Sequence, residues 1–173
     1  MVEPVTERLA WAAEVIDVAP DDRVLEIGCG NGALVSAICE RLESGAVTAI
    51  DRSEKMIHAA LRRNSGHVAS GKAHFLADDL AAAHFGFHSF TKIVAFNVGL
   101  FWRSHSEELA RVRQWLAPGG NLFLFYQPPT DEVFQGAVER LVRWLKSEGY
   151  SVRDTAYLAT EPARAVCVRA EPA

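Results

Sequence analysis

Glu26 and three glycines, Gly28, Gly30 and Gly32, occur at every second position of the segment 24–32, VLEIGCGNG. An apolar run enters this segment and a helical pattern leaves it, which predicts a strand, a tight turn and a helix start. Glycine adopts positive φ angles and lets a ligand approach the backbone closely. A helix start exposes free N–H groups at the positive end of the helix dipole. The segment therefore predicts a site for a polar or charged small molecule at the end of a first strand.

Other acidic and polar residues follow other apolar runs. Asp51 ends the run 46–50, Asp78 and Asp79 follow the run 72–77, and Asn97 follows the run 91–96. Asp51 comes 23 positions after Gly28, near the spacing at which an acidic residue reaches a ribose. A carboxylate can accept two hydroxyl hydrogen bonds at once, which suits a ribose diol.

Hydrophobic periodicity predicts alternating strands and helices along most of the chain. An amphipathic helix over 6–18 precedes predicted strands over 23–27, 46–50, 72–77, 91–96 and 121–126. Further helices are predicted over 33–42, from the cap Ser53 to a break at 64–66, and as a short helical turn near 80–84. A helix is also predicted from the capping box Ser104-x-x-Glu107 to Pro118-Gly119-Gly120, and another from the cap Thr130 to Gly149. Two final strands, 151–158 and 165–170, have no helix between them.

This order of elements predicts an α/β fold. Strands that alternate with helices through short connections form a parallel sheet with helices on both faces. A closing hairpin without a crossover helix adds an antiparallel strand. We therefore expect a Rossmann-like, doubly wound, mixed sheet of seven strands whose last strand is antiparallel. A length of 173 residues suggests a single domain over 1–173.

Composition and charge indicate which partners, cellular location and metal sites to expect. The formal net charge is −4 and the basic residues are scattered, which argues against a nucleic-acid partner. No apolar run reaches membrane-spanning length. The three cysteines lack metal-ligand spacing and the N-terminus does not have the pattern of a secretory signal, so we expect free thiols in a cytoplasmic protein. The six histidines are spread along the chain, and we predict no metal site.

The pattern Glu26-x-Gly28-x-Gly30-x-Gly32 resembles motif I, E/D-x-G-x-G-x-G, of the class I S-adenosylmethionine-dependent methyltransferases. The seven-stranded sheet with a terminal antiparallel strand is the architecture of that family, and the resemblance extends from about Pro4 to Ala170. It implies one class I methyltransferase-like domain with a single N-terminal helix. It also implies S-adenosylmethionine as the cofactor and S-adenosylhomocysteine as the product.

The resemblance assigns a role to each cofactor-binding candidate in turn. The glycine motif holds the methionine portion of the cofactor, which implies Glu26, Gly28 and Gly30. The acid that ends the second strand binds the ribose, which implies Asp51. The residues that follow this acid pack on the adenine, which implies Arg52, although that position is more usually apolar.

An acid after the third strand accepts a hydrogen bond from the adenine amino group in this family. Both Asp78 and Asp79 occupy this place, and the common G-D-A pattern favours Asp78 without excluding Asp79. Asn97 corresponds to the motif that passes under the methyl-donor end. Leu100 and Phe101 occur where histidines are common in small-molecule methyltransferases, so no catalytic base is assigned.

The resemblance leaves the methyl acceptor open. Phe101 and Trp102 either form an apolar wall for the acceptor or pack beneath the next helix. The acidic balance favours a small-molecule acceptor. The lack of a lid domain allows an open site, one covered by a second subunit in a homodimer, or one shaped by Tyr126-Gln127-Pro128-Pro129 and Phe101-Trp102.

Two other functions fit parts of the sequence. The short chain without an evident base is compatible with a non-catalytic S-adenosylmethionine-binding sensor or partner subunit. The spacing Gly28-x-Gly30-x-x-Ala33 also fits a loose dinucleotide motif, as in an NAD-dependent oxidoreductase. Glu26, the acid pair at 78–79 and the terminal strand pair argue against the second alternative.

Overall fold

The computed structural model describes residues 7–102, 106–128, 130, 134–161 and 163–173 of the chain. In chain order its elements are α1 (Glu7–Ile16), β1 (Arg23–Ile27), α2 (Ala33–Cys39), β2 (Ala46–Asp51), α3 (Glu54–Arg63), α4 (Ser65–Ala69), β3 (Ala73–Ala77), β4 (Phe90–Phe96), a 3-10 helix (Gly99–Trp102), α5 (Ser106–Trp115), β5 (Leu116–Tyr126), α6 (Phe134–Ser147), β6 (Tyr150–Leu158) and β7 (Ala165–Pro172). Within the described part of the chain, every helix is too short or too polar to cross a lipid bilayer.

The seven strands form one sheet in the order β3-β2-β1-β4-β5-β7-β6. Neighbouring strands from β1 to β5 are parallel, whereas β7 is antiparallel to both β5 and β6. The strand order therefore reverses between β1 and β4. A crevice opens there at the carboxyl ends of the strands, which is where open α/β sheets bind ligands. The predicted mixed sheet with an antiparallel last strand is confirmed.

Each face of the sheet packs against its own set of helices. Successive residues of a strand point to opposite faces, so Ile93 and Val94 of β4 enter different cores, and both are fully buried. The core around Val94 includes buried residues of α1, α2 and α3, and the core around Ile93 includes buried residues of α5 and α6. Burial on both faces explains why β4 is apolar from Ile93 onwards.

Strand β5 begins at Leu116, not at Asn121 as predicted. Pro118-Gly119-Gly120 was expected to separate the preceding helix from the strand, but it lies within β5. The pairing with β4 shifts from Phe90 opposite Leu116 to Lys92 opposite Asn121, so the segment forms a bulge. The boundary was wrong because proline and glycine mark strand bulges as well as helix ends.

One short segment differs from the prediction. Helix α3 ends at Arg63 as expected, but α4 begins at Ser65 within the predicted break. A helix of five residues is too short for hydrophobic periodicity to predict it. The short helical turn predicted near 80–84 is present as a turn in which the Ala83 N–H donates to the Asp79 carbonyl at 2.9 Å.

One of the predicted caps is confirmed and others cannot be compared. The Ser53 hydroxyl accepts a hydrogen bond from the Met56 N–H at the start of α3. Ser104 of the predicted capping box and Thr6 at the start of the first helix lie outside the described residues. Residues 131–133, between the predicted cap Thr130 and α6, also lie outside them.

Candidate functional site

The glycine turn after β1 closes over the end of β2. Gly28, Gly30 and Gly32 have φ angles of 73°, 53° and 73°, a left-handed region that favours glycine. The N–H groups of Gly28 and Cys29 both donate to the Ile50 carbonyl, at 2.8 and 3.0 Å. The turn is therefore fixed to β2 by its own backbone.

Asn64 holds the far end of this turn from α3. Its side chain is 1% exposed, and its Nδ2 donates to the carbonyls of Gly32 and Ala60 at 3.0 and 3.1 Å. Its Oδ1 accepts from the Ser36 hydroxyl at 2.7 Å. A Cβ at Gly32 would lie 2.6 Å from Nδ2 of Asn64 and 2.9 Å from Cβ of Ala60. Gly32 is thus required by close packing as well as by its φ angle.

Asp51, at the end of β2, is held by two backbone N–H groups. Its Oδ2 accepts from the Gly30 N–H at 2.8 Å, and its Oδ1 accepts from the Ser53 N–H at 2.9 Å. A carboxylate oxygen accepts more than one hydrogen bond. Asp51 is therefore fixed in orientation while each of its oxygens keeps capacity for a ligand donor.

A cavity of about 620 Å³ opens at the carboxyl ends of β1, β2, β3 and β4, within the size range of small-molecule sites. Six of the eight predicted cofactor-binding residues line it, namely Gly28, Asp51, Arg52, Asp78, Asp79 and Asn97. The other lining residues are Ile27, Ile50, Leu80, Ala81, Phe96, Val98, Gly99 and Glu108. The lining thus carries four carboxyl groups and one guanidinium, which favours a cationic ligand.

The two adjacent acids after β3 have different surroundings. The Asp79 Oδ1 accepts from the Ala82 N–H at 2.8 Å, so this carboxylate caps the following turn. The Asp78 Oδ1 accepts only from the N–H of the next residue, at 3.0 Å, among the hydrogen bonds of the described residues. Asp78 is half-buried and Asp79 is exposed. Asp78 is therefore the more available of the two for a ligand within the cavity.

Glu26 does not line the cavity, in contrast to most of the predicted residues. It is 3% exposed and lies on the face of β1 opposite Leu25 and Ile27, between Ala49 of β2 and Val94 of β4. Burial, together with the nearby negative charge of Asp51, raises its pKa to about 8. Its Oε2 has no hydrogen-bond partner among the described residues.

Asn97 directs the chain away from the end of β4. It has a φ angle of 55°, its N–H donates to the Phe125 carbonyl at 2.9 Å, and its Oδ1 accepts from the Gln127 N–H at 2.8 Å. The side-chain oxygen of Asn97 thus fixes the loop between β4 and the 3-10 helix. Asn97 also lines the cavity.

Phe101 packs inside the protein and does not form an acceptor wall. It is 1% exposed and belongs to the core that includes α5 and α6. Of the two alternatives for Phe101, packing against the following helix is therefore the one that the structure has. The side chain of Trp102 lies outside what the structure describes.

A family model described as a methyltransferase domain matches residues 24–120, which is more than half of the chain. The chain belongs to this methyltransferase-domain family. Among curated relatives, this methyltransferase chain is similar to malonyl-[acyl-carrier protein] O-methyltransferase of Paenibacillus sp. (strain JDR-2). The two are 30% identical over 115 residues, which cover 65% of this chain and 41% of the relative. Two of the curated relatives are matched over only 32% and 41% of their own lengths.

Solved structures of methyltransferases share the fold. A SAM-dependent methyltransferase from Aquifex aeolicus superposes with a TM-score of 0.77 at 16% identity, covering 98% of this chain and 93% of that one. Magnesium protoporphyrin IX methyltransferase from Synechocystis PCC 6803, solved with bound SAM, gives a TM-score of 0.71 at 18% identity. That match covers 96% of this chain and 77% of the other.

Two residues in or beside the candidate site, Glu108 and Arg8, were not found from the sequence. Glu108, in the first turn of α5, lines the cavity. Gln127 and Arg8 form a hydrogen-bonded pair beside Asn97. Gln127 directly follows β5, in the segment 126–129 that we expected could shape the site. No local pattern indicated its pairing with Arg8, which is 119 positions away.

Proposed function

We propose that this chain is an S-adenosylmethionine-dependent methyltransferase that acts on a small-molecule acceptor. The observation that carries the proposal is the geometry of Asp51 in a chain of the methyltransferase-domain family. Its carboxylate is held at the cavity by the N–H groups of Gly30 and Ser53, with hydrogen-bonding capacity left on both oxygens. Such a group suits the two hydroxyls of a ribose.

The lining of the cavity fits the other parts of the cofactor. We assign Asp78 to the adenine amino group, because the carboxylate of Asp79 already caps a turn. Asp79 remains the alternative. The exposed side chain of Arg52, which lines the same cavity, is assigned to the adenine face through its apolar stem. The net negative lining suits the positively charged sulfonium.

We assign the methionine portion to the glycine turn, with Gly28, Gly30 and the buried Glu26. The Oε2 of Glu26 has no partner among the described residues, and an unpaired buried oxygen is costly. Since Glu26 lies outside the cavity lining, it would act on the cofactor ammonium through a water or through the backbone of the turn. Asn97 is assigned to the methyl-donor end through its place after β4.

Bound S-adenosylmethionine supplies a methyl group that is already activated on a sulfonium. The chain's own residues then contribute mainly by position. Asp51 and the glycine turn fix the donor relative to β1, and the loop fixed by Asn97 and Gln127 fixes the floor on which the acceptor lies. Holding an acceptor in line with the methyl group lowers the barrier through proximity and orientation.

The small-molecule acceptor is proposed on charge and on the form of the site. With a net charge of −4, the chain lacks the basic balance typical of proteins that bind nucleic-acid backbones. The cytoplasm is the proposed location, because Cys29, Cys39 and Cys167 are free thiols, which suit a reducing compartment.

Calorimetric titration tests the proposal. We expect micromolar binding of S-adenosylmethionine and S-adenosylhomocysteine and no binding of NAD. Asp51→Ala should weaken both adenosyl ligands about 10- to 100-fold, the equivalent of one or two lost hydrogen bonds to a charged group. Asp21→Ala, an exposed residue before β1, is the matched control and should bind as the wild type does. Preferential binding of NAD, or no adenosyl binding, would contradict the proposal.

A further inference from the structure

Arg8, in the first turn of α1, lies beside Phe96, which is the last residue of β4. Its Nη1 donates to Oε1 of Gln127 at 2.9 Å, and its Cζ lies 5.6 Å from the centroid of the Phe96 ring. Phe96 lines the cavity and stacks on Phe125, with an interplanar angle of 2° and centroids 5.3 Å apart. The guanidinium therefore lies on a packed aromatic surface, one ring of which lines the cavity.

Gln127 fixes the direction in which Arg8 is held. It is 8% exposed, and its Nε2 donates to the carbonyls of Glu161 and Ala163 at 3.1 and 3.0 Å. With both amide protons used, its Oε1 must face Arg8. The Gln127 N–H in turn binds Oδ1 of Asn97. Arg8 is thus connected by one residue to the loop that borders the proposed methyl-donor end.

The charged residues of the cavity come from β2 and the segment after it, from the segment after β3 and from α5. Asp78 and Asp79 lie at the end of β3, and Glu108 belongs to α5, whose next turn reaches the Ala83 carbonyl through Arg111. These carboxylates therefore lie at the proposed adenine end. The described lining residues at the end of β4 and directly after it are Phe96, Asn97, Val98 and Gly99, none of which is charged.

We propose that Arg8 binds an anionic group of the methyl acceptor, so that the acceptor is a small molecule carrying a carboxylate or a phosphate. A guanidinium has five N–H donors in a planar fork. Among the hydrogen bonds of the described residues, Gln127 takes one donor of this fork, and the other donors can form charge-assisted hydrogen bonds with an anion. The uncharged floor formed by Asn97, Val98 and Gly99 places no carboxylate against such an acceptor. This inference rests on the proposed methyltransferase function and specifies its substrate class.

The test uses protein saturated with S-adenosylhomocysteine and, in parallel, the protein alone. Malonate and glycerol phosphate serve as the carboxylate and phosphate probes, malonamide as the neutral probe and 1,3-diaminopropane as the cationic probe. Binding is followed by the NMR shifts of the backbone amides of Asn97 and Gln127. We expect at least one anion to bind more tightly than both other probes.

Variants of Arg8 assign the selectivity to its guanidinium. Arg8→Ala should weaken the anion about 10-fold or more, the loss of a charge-assisted pair, and leave the affinity for S-adenosylhomocysteine within about twofold of the wild-type value. Arg8→Lys keeps the positive charge but lacks the planar fork of N–H donors, so its affinity for the anion should lie between those of the wild type and Arg8→Ala. Arg62→Ala, an exposed arginine in the last turn of α3, is the matched control and should change neither affinity.

The possible outcomes separate the two proposals. The role of Arg8 is wrong, and the methyltransferase function stands, if S-adenosylhomocysteine binds but the anions do not. The same conclusion follows if the anions bind no better than malonamide or the diamine, or bind equally well to Arg8→Ala. If S-adenosylhomocysteine itself fails to bind, the methyltransferase function is wrong and the inference fails with it. Tighter binding of malonate or of glycerol phosphate decides which anionic group is preferred.

Discussion

Replacing Glu26 with glutamine should stabilise the protein increasingly as the pH rises. Glu26 is 3% exposed, and burial, with the charge of Asp51, raises its pKa from 4.5 to about 8. A carboxyl group with a raised pKa in the folded state contributes its full stability below pH 4.5, and this contribution is lost as the pH rises towards 8. In this window the unfolded state releases a proton that the folded state retains.

The magnitude follows from the pKa difference. Each pH unit between about 5 and 8 should lower the free energy of unfolding of the wild type, relative to Glu26→Gln, by about 1.4 kcal/mol. The loss would total roughly 5 kcal/mol if the full shift is realised. The glutamine amide buries its own N–H donors at a cost of about 1–3 kcal/mol. A net gain of roughly 2 kcal/mol at pH 8 is therefore expected.

Urea unfolding at four pH values between 5 and 8 measures this effect, because the midpoint and slope give the free energy of unfolding directly. Glu43→Gln, which removes an exposed carboxyl group, is the control and should give curves parallel to the wild type. A difference between Glu26→Gln and the wild type that stays constant across this pH range would refute the raised pKa of Glu26.

Three further predictions concern the glycine turn, the side chain that holds it and the amino end of β1. Gly32→Ala should destabilise the protein by several kcal/mol, because the added Cβ meets Asn64 and Ala60. Gly71→Ala is the control, since Gly71 has a similar φ of 77° but no atom within 4 Å of the added Cβ, and it should cost about 1 kcal/mol. Equal losses of unfolding free energy in urea would exclude the close-packing argument. Asn64→Ala should lower the unfolding free energy by about 1–3 kcal/mol, and a loss no greater than that of exposed Ser65→Ala would contradict its role. Burial tends to raise the pKa of Asp22, but hydrogen bonds and charge around it lower the pKa overall. Its contribution is therefore present above pH 3.8 and is lost below it, so Asp22→Asn should flatten the acid limb of a melting-temperature profile, and an unchanged limb would count against this.

The sequence predicted the fold closely because its signals were local and repeated. Apolar runs bounded by glycine, proline or capping residues located the seven strands, and the closing pair without a helix between them required an antiparallel strand. The errors fell where one residue type marks two structures. Pro118-Gly119-Gly120 fits both a helix end and a strand bulge, and only the pairing of Phe90 with Leu116 distinguishes them.

The candidate site was predictable where a residue acts through its position at a strand end. Gly28, Asp51, Asp78 and Asn97 follow strands directly, and parallel strands bring their carboxyl ends to one edge. The burial of Glu26 away from the cavity was not predictable from the motif, because the face to which a strand residue points depends on the register of the whole sheet.

The contacts that sequence reasoning missed connect distant parts of the chain. Gln127 links Arg8 of α1, Asn97 after β4 and the carbonyls of Glu161 and Ala163 before β7. No local pattern specifies such a pairing, since each partner is an ordinary polar residue in its own segment. Tertiary packing alone brings them together.

The most direct measurement is a crystal structure of the protein with S-adenosylhomocysteine. The account predicts that the ligand occupies the cavity after β1, with both ribose hydroxyls within hydrogen-bond distance of the Asp51 carboxylate and the adenine amino group beside Asp78. The homocysteine sulfur should face the Asn97 loop on the side where Arg8 lies. A ligand bound elsewhere, or a ribose that does not contact Asp51, would contradict the account.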